Sequence, residues 1–396
     1  MEQIMKYFMT ILTVFICLSS ILILLLIVKF IISSRKSKFK RNKYSRSTCD
    51  KVDINNCETN IKKKVNQQTS NLNGEKVFKY DNGDMYKGET INGKKHGFGV
   101  CIFANKERYE GLWKDDKMHS IGKYIYSDGS TYSGDFKNGT IEGLGLYTYK
   151  NKDMYKGYFI NNKKSGKGVL YYKDGSKYSG IWEDNLQSGD GKLIKSNGDI
   201  YEGEFRRGKI NGKGEYKFRD GSKYIGEFKD NTFHGHGYYT DVEGNIYDGE
   251  YKYGCRRGSG IIKYRNKEIY EGEFKDDVFE GVGRYLYHNK NIYEGDFKKG
   301  QKDGIGTYTC ELYKYIGEWK EDKKGRIGTY YLISSATLDV IIENEKIVQG
   351  IYRINDKDEK YVYDLDISGD KENCILQDIT RYLKKKSNHQ NHFEFI

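Results

Sequence analysis

Eleven tyrosines mark off the middle of this 396-residue chain in equal steps: Tyr86, Tyr109, Tyr132, Tyr155, Tyr178, Tyr201, Tyr224, Tyr247, Tyr270, Tyr293 and Tyr315. The step is 23 residues for the first nine intervals and 22 for the last. Two residues after each tyrosine stands a glycine: Gly88, Gly111, Gly134, Gly157, Gly180, Gly203, Gly226, Gly249, Gly272, Gly295 and Gly317. Another follows thirteen residues after each, from Gly99 to Gly328. A strict short period means a repeat array, in which a unit buries its apolar face only against its neighbours. Such a chain is a poor candidate for a catalytic domain.

Four residues after the tyrosine an aromatic recurs in ten of the eleven units: Trp113, Phe136, Phe159, Trp182, Phe205, Phe228, Tyr251, Phe274, Phe297 and Trp319. Thr90 takes that place in the first unit, as an end effect. Tyrosine, glycine and aromatic thus alternate and share one face of a strand, with room at the glycine for a neighbouring ring to cross the backbone. Seven residues after the tyrosine every unit has Gly, Asn or Asp, from Gly93 to Asp322, the residue types that tolerate φ > 0 in tight turns. A second turn precedes the next tyrosine, as in Asn82-Gly83, Asp128-Gly129 and Asn197-Gly198, and reads as a short two-residue hairpin turn. Each unit is therefore strand, turn, strand, turn. A helix is excluded, because glycine at three fixed places per unit would cost about 1 kcal/mol each without a 3.6-residue apolar stripe. At about 4.8 Å per strand the fold is an all-β, elongated antiparallel meander or solenoid roughly 105 Å long.

The pattern Y-x-G-x-[F/W]-x-x-G-x-x-x-G-x-G resembles the MORN repeat. Tyr201-Glu202-Gly203-Glu204-Phe205, followed by Gly208, Gly212 and Gly214, matches it throughout. The resemblance covers residues 76–330, and departures such as Ser120 and Arg326 in place of the usual glycine cluster in unit two and unit eleven. It implies an antiparallel β array of the kind found in membrane-junction, cortical-cytoskeleton and ciliary scaffolds, or appended to some lipid kinases and methyltransferases. The fold follows from the family far more firmly than the biochemistry.

Residues 7–28 carry no charge and are dominated by Ile, Leu, Val and Phe. As a helix they would extend about 33 Å, enough to cross a hydrocarbon core of about 30 Å. The stretch is longer than a signal h-region and no A-x-A site follows, so an uncleaved anchor over residues 1–32 is expected. Arg35, Lys36, Lys38, Lys40, Arg41, Lys43 and Arg46 follow it before the first acidic residue, Asp50. Positive-inside bias then puts the N-terminus on the exoplasmic or lumenal side and the array in the cytosol, as a single-pass protein.

Residues 1–80 hold 15 Lys and Arg against 5 Asp and Glu, so they account for +10 of the chain's net +12 and leave +2 for residues 81–396. The folded part is nearly neutral, which argues against nucleic acid. Anionic lipid headgroups are the expected contact of Arg35, Lys36, Lys38, Lys40, Arg41 and Lys43. The polar stretch 33–75 reads as a disordered linker reaching roughly 40 Å from the bilayer. The complete absence of proline extends to that linker, so it reflects compositional bias and not a demand of the strands.

No other motif carries chemistry. The seven cysteines lack a CxxC and read as reduced thiols. His234-Gly235-His236 puts two imidazoles on one strand face without a third ligand. Asn138-Gly139-Thr140 is a sequon inside a repeat turn. Asp364-x-Asp366-x-Ser368-Gly369-Asp370 imitates a calcium loop, but Ile375 stands where its bidentate Glu belongs. No metal site, cofactor or catalytic group is expected. Within residues 331–396, Leu338, Val340 and Ile342 form a degenerate twelfth unit. Cys374, Ile375, Leu376, Ile379, Tyr382 and Leu383 then follow helical spacing, ending in Lys384-Lys385-Lys386 with Asp370 as N-cap, a capping helix or a partner-binding one.

These readings converge on a non-enzymatic, membrane-anchored scaffold whose cytosolic array recruits cytoskeletal or membrane-junction proteins, with self-association compatible. One alternative is a phospholipid-binding array tethering two membranes. Another is a regulatory or targeting subunit of a lipid kinase or other enzyme, since the stretch after the array is too short for a catalytic domain of its own.

Overall fold

In a computed structural model, residues 77–332, 337–344, 346–354 and 357–361 are described. They form a single antiparallel sheet of 26 strands, from Val77–Lys79 to Lys357–Tyr361. Every strand pairs with the strand before it and the strand after it in the chain, so the topology is a pure meander. Among the described residues there is no helix, and so none long and apolar enough to cross a membrane. The expected anchor at 7–28, its basic flank, the 33–75 linker, the calcium-like loop and the 374–386 helix lie outside the described residues.

Units one to ten each have a seven-residue outgoing strand carrying the repeat tyrosine, such as Ile200–Arg206, and a nine-residue return strand, such as Lys209–Lys217; in unit eleven both are one residue longer. The turn between them has left-handed φ at two successive residues, as in Arg207 (49°) and Gly208 (79°) or Asp230 (50°) and Asn231 (70°). Two consecutive positive φ values define a type I′ turn, whose twist suits a tight hairpin. The second turn departs from its sequence reading. Positive φ falls on Gly83 but not on Asn82, the Gly83 N–H donates to Tyr80 O (2.9 Å), and Tyr80 N–H donates to Asp84 O (2.9 Å). This is the longer loop of a type I turn closed by one left-handed residue. That residue can be lysine as well as glycine: Lys106, Lys152, Lys267 and Lys290 adopt it at φ 68–79°. In the tenth unit the loop is one residue shorter, with Cys310 N–H on Tyr313 O (2.9 Å), which is why the tyrosine step falls to 22.

The sheet continues past the eleventh unit. Thr337–Glu343 pairs with both its neighbours and buries Leu338, Val340 and Ile342 (3 %, 3 % and 8 % exposed), the apolar residues of the degenerate unit.

Candidate interaction array

The core of the array is built from one recurring contact. The two framework glycines of a unit face each other across its hairpin, as Gly203 faces Gly214, and the ring of the unit's own tyrosine lies over both. A methyl group on either glycine would collide with the Tyr201 ring, and one on Gly203 would also strike the Gly214 backbone. The sequence led us to expect a neighbouring ring at this place. The pair is instead covered from within the unit, because alternation brings residue i back over residue i+2 on the same face.

Beyond the glycine pair the register shifts: Gly203 pairs with Gly214 but Phe205 pairs with Ile210, so the return strand bulges by two residues around left-handed Gly212 (φ 73°). Glu204, the residue opposite the bulge, serves it twice. Its carbonyl accepts the Tyr201 hydroxyl (2.9 Å), and its carboxylate accepts the Lys213 N–H (3.1 Å). The hydroxyl bond recurs at 2.7–3.1 Å in units one to ten. The carboxylate bond recurs at Glu89, Asp135 and Asp296. Burial pushes the Asp135 carboxyl up, against the pull of the Leu144 N–H. Sequence reasoning overlooked this residue, although an acid stands three after the tyrosine in eight of eleven units.

Units are joined by rings and by polar ladders. All eleven repeat tyrosines are at most 3 % exposed, and the ten aromatics four residues on are 2–7 % exposed, whereas Thr90 is exposed. Each of those aromatics meets two tyrosines edge-on: Phe228 lies 5.1 Å from Tyr224 of its own unit and 5.0 Å from Tyr201 of the unit before. At one edge of the sheet, the Asx side chain seven after the tyrosine reaches back one unit, as Asn231 Oδ1 accepts Ile210 N–H (2.8 Å) and Asn185 Oδ1 accepts Lys164 N–H (2.8 Å). At the other edge, in eight of the eleven units the residue two before the tyrosine accepts an N–H from the next unit's turn, as Asp153 does from Lys173 (2.8 Å) and Asp199 from Arg219 (2.9 Å).

The three tryptophans share a further partner. Lys95, Lys164 and Lys302 hold their ammonium groups 5.0, 4.5 and 4.6 Å from the rings of Trp113, Trp182 and Trp319. These are cation–π distances, and burial holds the Lys164 and Lys302 ammonium groups below the usual lysine range. In the other units the same position carries Met118, Ile141, Gln187, Ile210, Phe233, Arg256, Phe279 or Lys324; Arg256 lies 5.6 Å from the Phe274 ring, and Phe233 stacks on Tyr224 at 3.8 Å.

A second aromatic row, half-buried, flanks the first. Tyr124, Tyr126, Tyr147 and Tyr149 run ring to ring at 4.7, 5.6 and 4.6 Å. Burial, with the neighbouring Tyr147 adding to it, pushes both Tyr126 and Tyr149 up to about 12. Some of these tyrosines hydrogen-bond carboxylates two before the repeat tyrosine: Tyr216 on Asp199 (2.8 Å) and Tyr285 on Glu268 (2.8 Å). Burial alone would raise the Glu268 carboxyl, but hydrogen bonds from Tyr285, His288 and Asn266 outweigh it and bring it to about 2.

The remaining motifs are separated by the fold. Gly235 is the left-handed bulge residue of its unit (φ 59°), so His234 and His236 do not act together. His236 pairs with Asp248 (3.2 Å), while His234 lies against Tyr253 (6.3 Å). Among the described residues no three His, Cys, Asp or Glu side chains converge as metal ligands. Cys101 is buried, Cys255 and Cys310 are half-buried, and all three are free. Asn138 occupies the first left-handed turn position (φ 52°).

No curated protein matches the chain. Among solved structures, the TCP10 domain of Danio rerio CPAP in complex with a peptide of Danio rerio STIL is similar at 10% identity. That match covers 56% of this chain and 94% of the other, with a TM-score of 0.33. The free form of the same domain matches at 12% identity over 51% and 94% of the two chains, with a TM-score of 0.30. The family model of the MORN repeat matches eleven consecutive spans, from residues 86–108 to 315–335, and each begins at a repeat tyrosine. The chain therefore belongs to the MORN repeat family, with eleven tandem copies.

Proposed function

We propose that this chain is a non-enzymatic scaffold, held at a membrane by residues 7–28, that presents its repeat array in the cytosol to recruit cytoskeletal or membrane-junction proteins. One observation carries the reading: the recurring residues are consumed by the array's own structure. The tyrosines, the glycine pairs and the second aromatics are packed against one another, and the acids beside them cap the backbone. What varies between units is the outward row of side chains, and a regular frame with a variable surface is how repeat proteins bind partners. The uncharged stretch 7–28 supports the anchor, and Arg35, Lys36, Lys38, Lys40, Arg41 and Lys43 beside it support contact with anionic headgroups.

Protease added to intact microsomes from cells expressing the full chain tests the arrangement. The array is expected to be digested and the protein to stay in the pellet after carbonate washing. An array protected until the vesicles are opened would place it in a lumen and overturn the cytosolic scaffold. Proximity labelling with the full chain and with a form lacking residues 1–32 then reads the partners. The expected result is enrichment of cytoskeletal or junction proteins that depends on the anchor.

A further inference from the structure

The five residues after each repeat tyrosine end on an exposed position at the edge of the sheet, just before the type I′ turn. In units six to eleven that position is basic without exception: Arg206, Lys229, Lys252, Lys275, Lys298 and Lys320. In units one to five it reads Ile91, Lys114, Lys137, Ile160 and Glu183, so the run is a property of one half of the array. All six cations are exposed. Lys320 pairs with Asp303 (3.0 Å), but among the described residues none of the other five has a carboxylate within ion-pairing distance. They stand on alternate strands, so neighbours along the row are about 9.6 Å apart, twice the strand spacing.

At the middle of the row is a residue the fold does not explain. Tyr253 occupies the first left-handed turn position at φ 56° and is 73% exposed. The other ten units have Asn, Asp, Arg, Lys or Glu there. A left-handed backbone disfavours a bulky aromatic, and the ring gains only an edge contact with His234 (6.3 Å) and the Lys252 ammonium over its face (5.6 Å). A projecting tyrosine beside unpaired cations has the composition of an interface anchor.

We propose that this ridge, with Tyr253 at its centre, docks an extended acidic polypeptide segment of a partner. The inference rests on the array's being a binding scaffold and is independent of the membrane anchor. The neighbouring rows select the occupant. Glu204, Glu227, Glu250, Glu273 and Asp296 stand two residues back along the same strands, about 7 Å away on the same face. A bilayer or a nucleic-acid duplex would lay phosphates over those carboxylates as well as over the cations. A single extended chain can follow the edge alone. Three residues of polyproline II rise about 9.3 Å, so an acid at every third position meets each cation in turn.

Binding of a labelled (Glu-Pro-Pro) repeat peptide to the full chain in detergent tests this. The variant replaces Arg206, Lys229, Lys252, Lys275 and Lys298 by Ser. The control replaces Lys94, Lys114, Lys117, Lys137 and Lys163 by Ser at the same edge of units one to five. The ridge variant is expected to bind at least about tenfold more weakly with a shallower salt dependence, and the control to bind as the parent does. Tyr253→Asn should weaken binding about threefold while raising the melting temperature, a combination that loss of folding cannot produce. A peptide of the same composition with its glutamates in one block should bind less well than the periodic one. Equal loss in ridge variant and control, indifference to glutamate spacing, or loss of phosphatidylserine-vesicle binding without loss of peptide binding would each overturn the assignment. Failure of the peptide while proximity labelling still enriches specific partners would reject the ridge and leave the scaffold standing. Failure of both would remove the scaffold as well.

Discussion

At a single residue, the array depends on what glycine lacks. Gly203 and Gly214 let the Tyr201 ring press onto two strands at once, with its hydroxyl on Glu204 O. Gly214→Ala should cost about 1–3 kcal/mol, as overpacking does, measured by denaturant melts. The left-handed bulge residue makes the opposite prediction. Ser120 fills that position at φ 56° where nine of the eleven units have glycine. Ser120→Gly should therefore stabilise unit two by about 1 kcal/mol. A destabilised Ser120→Gly would mean that the serine is held by something other than backbone geometry. The tyrosine, the glycines and the second aromatic were legible because they repeat without exception or nearly so. The acid at Glu204 was equally periodic, yet its role was hidden. A carboxylate beside charged neighbours reads as solvated surface until the bulge is seen to leave the Lys213 N–H needing an acceptor.

At the scale of the element, stability divides between buried rings and edge ladders, and pH separates the two. Burial pushes the hydroxyls of Tyr109, Tyr155, Tyr270 and Tyr293 well above their usual 10. With the folded value raised, the stabilisation is complete below pH 10 and is lost as pH climbs past it. The tyrosinate absorbance should then rise in one cooperative step together with loss of sheet circular dichroism. A gradual rise with the sheet intact would show that the rings are open to solvent. Glu268 works at the acid end. Its folded value of about 2 lies below the ordinary 4.5, so its contribution is present above pH 4.5 and disappears as pH falls toward 2. Glu268→Gln should cost up to about 1 kcal/mol at neutral pH after solvent screening, and nothing near pH 2. The turns show how far local sequence goes. Asn, Asp and Gly announced the type I′ turn, but the Asx side chains also cap the preceding unit, a contact 21 residues away that no dipeptide rule contains. The second turn was misread as a two-residue loop because Asn-Gly suits both turn types, and the hydrogen bond of Tyr80 N–H to Asp84 O distinguishes them only in three dimensions.

At the scale of the molecule, the array is a chain of equal units in which each tyrosine from Tyr109 to Tyr293 touches its own ring partner and that of the next unit, as Tyr201 touches Phe205 and Phe228. The meander was readable from the period alone, because a sheet in which each strand meets only its chain neighbours needs no long-range pairing code. The ridge around Tyr253 was not, since its meaning lies in which edge the cations share. Stability in such an array is a sum of units and nearest-neighbour interfaces. Hydrogen exchange on the Tyr201→Ala chain tests this most directly, since losing that buried ring should cost roughly 3–5 kcal/mol. Protection is expected to fall in the strands between residues 186 and 229 and to persist in those at 108–148 and 269–309. Uniform loss of protection along the whole sheet, or no loss around residue 201, would contradict the account.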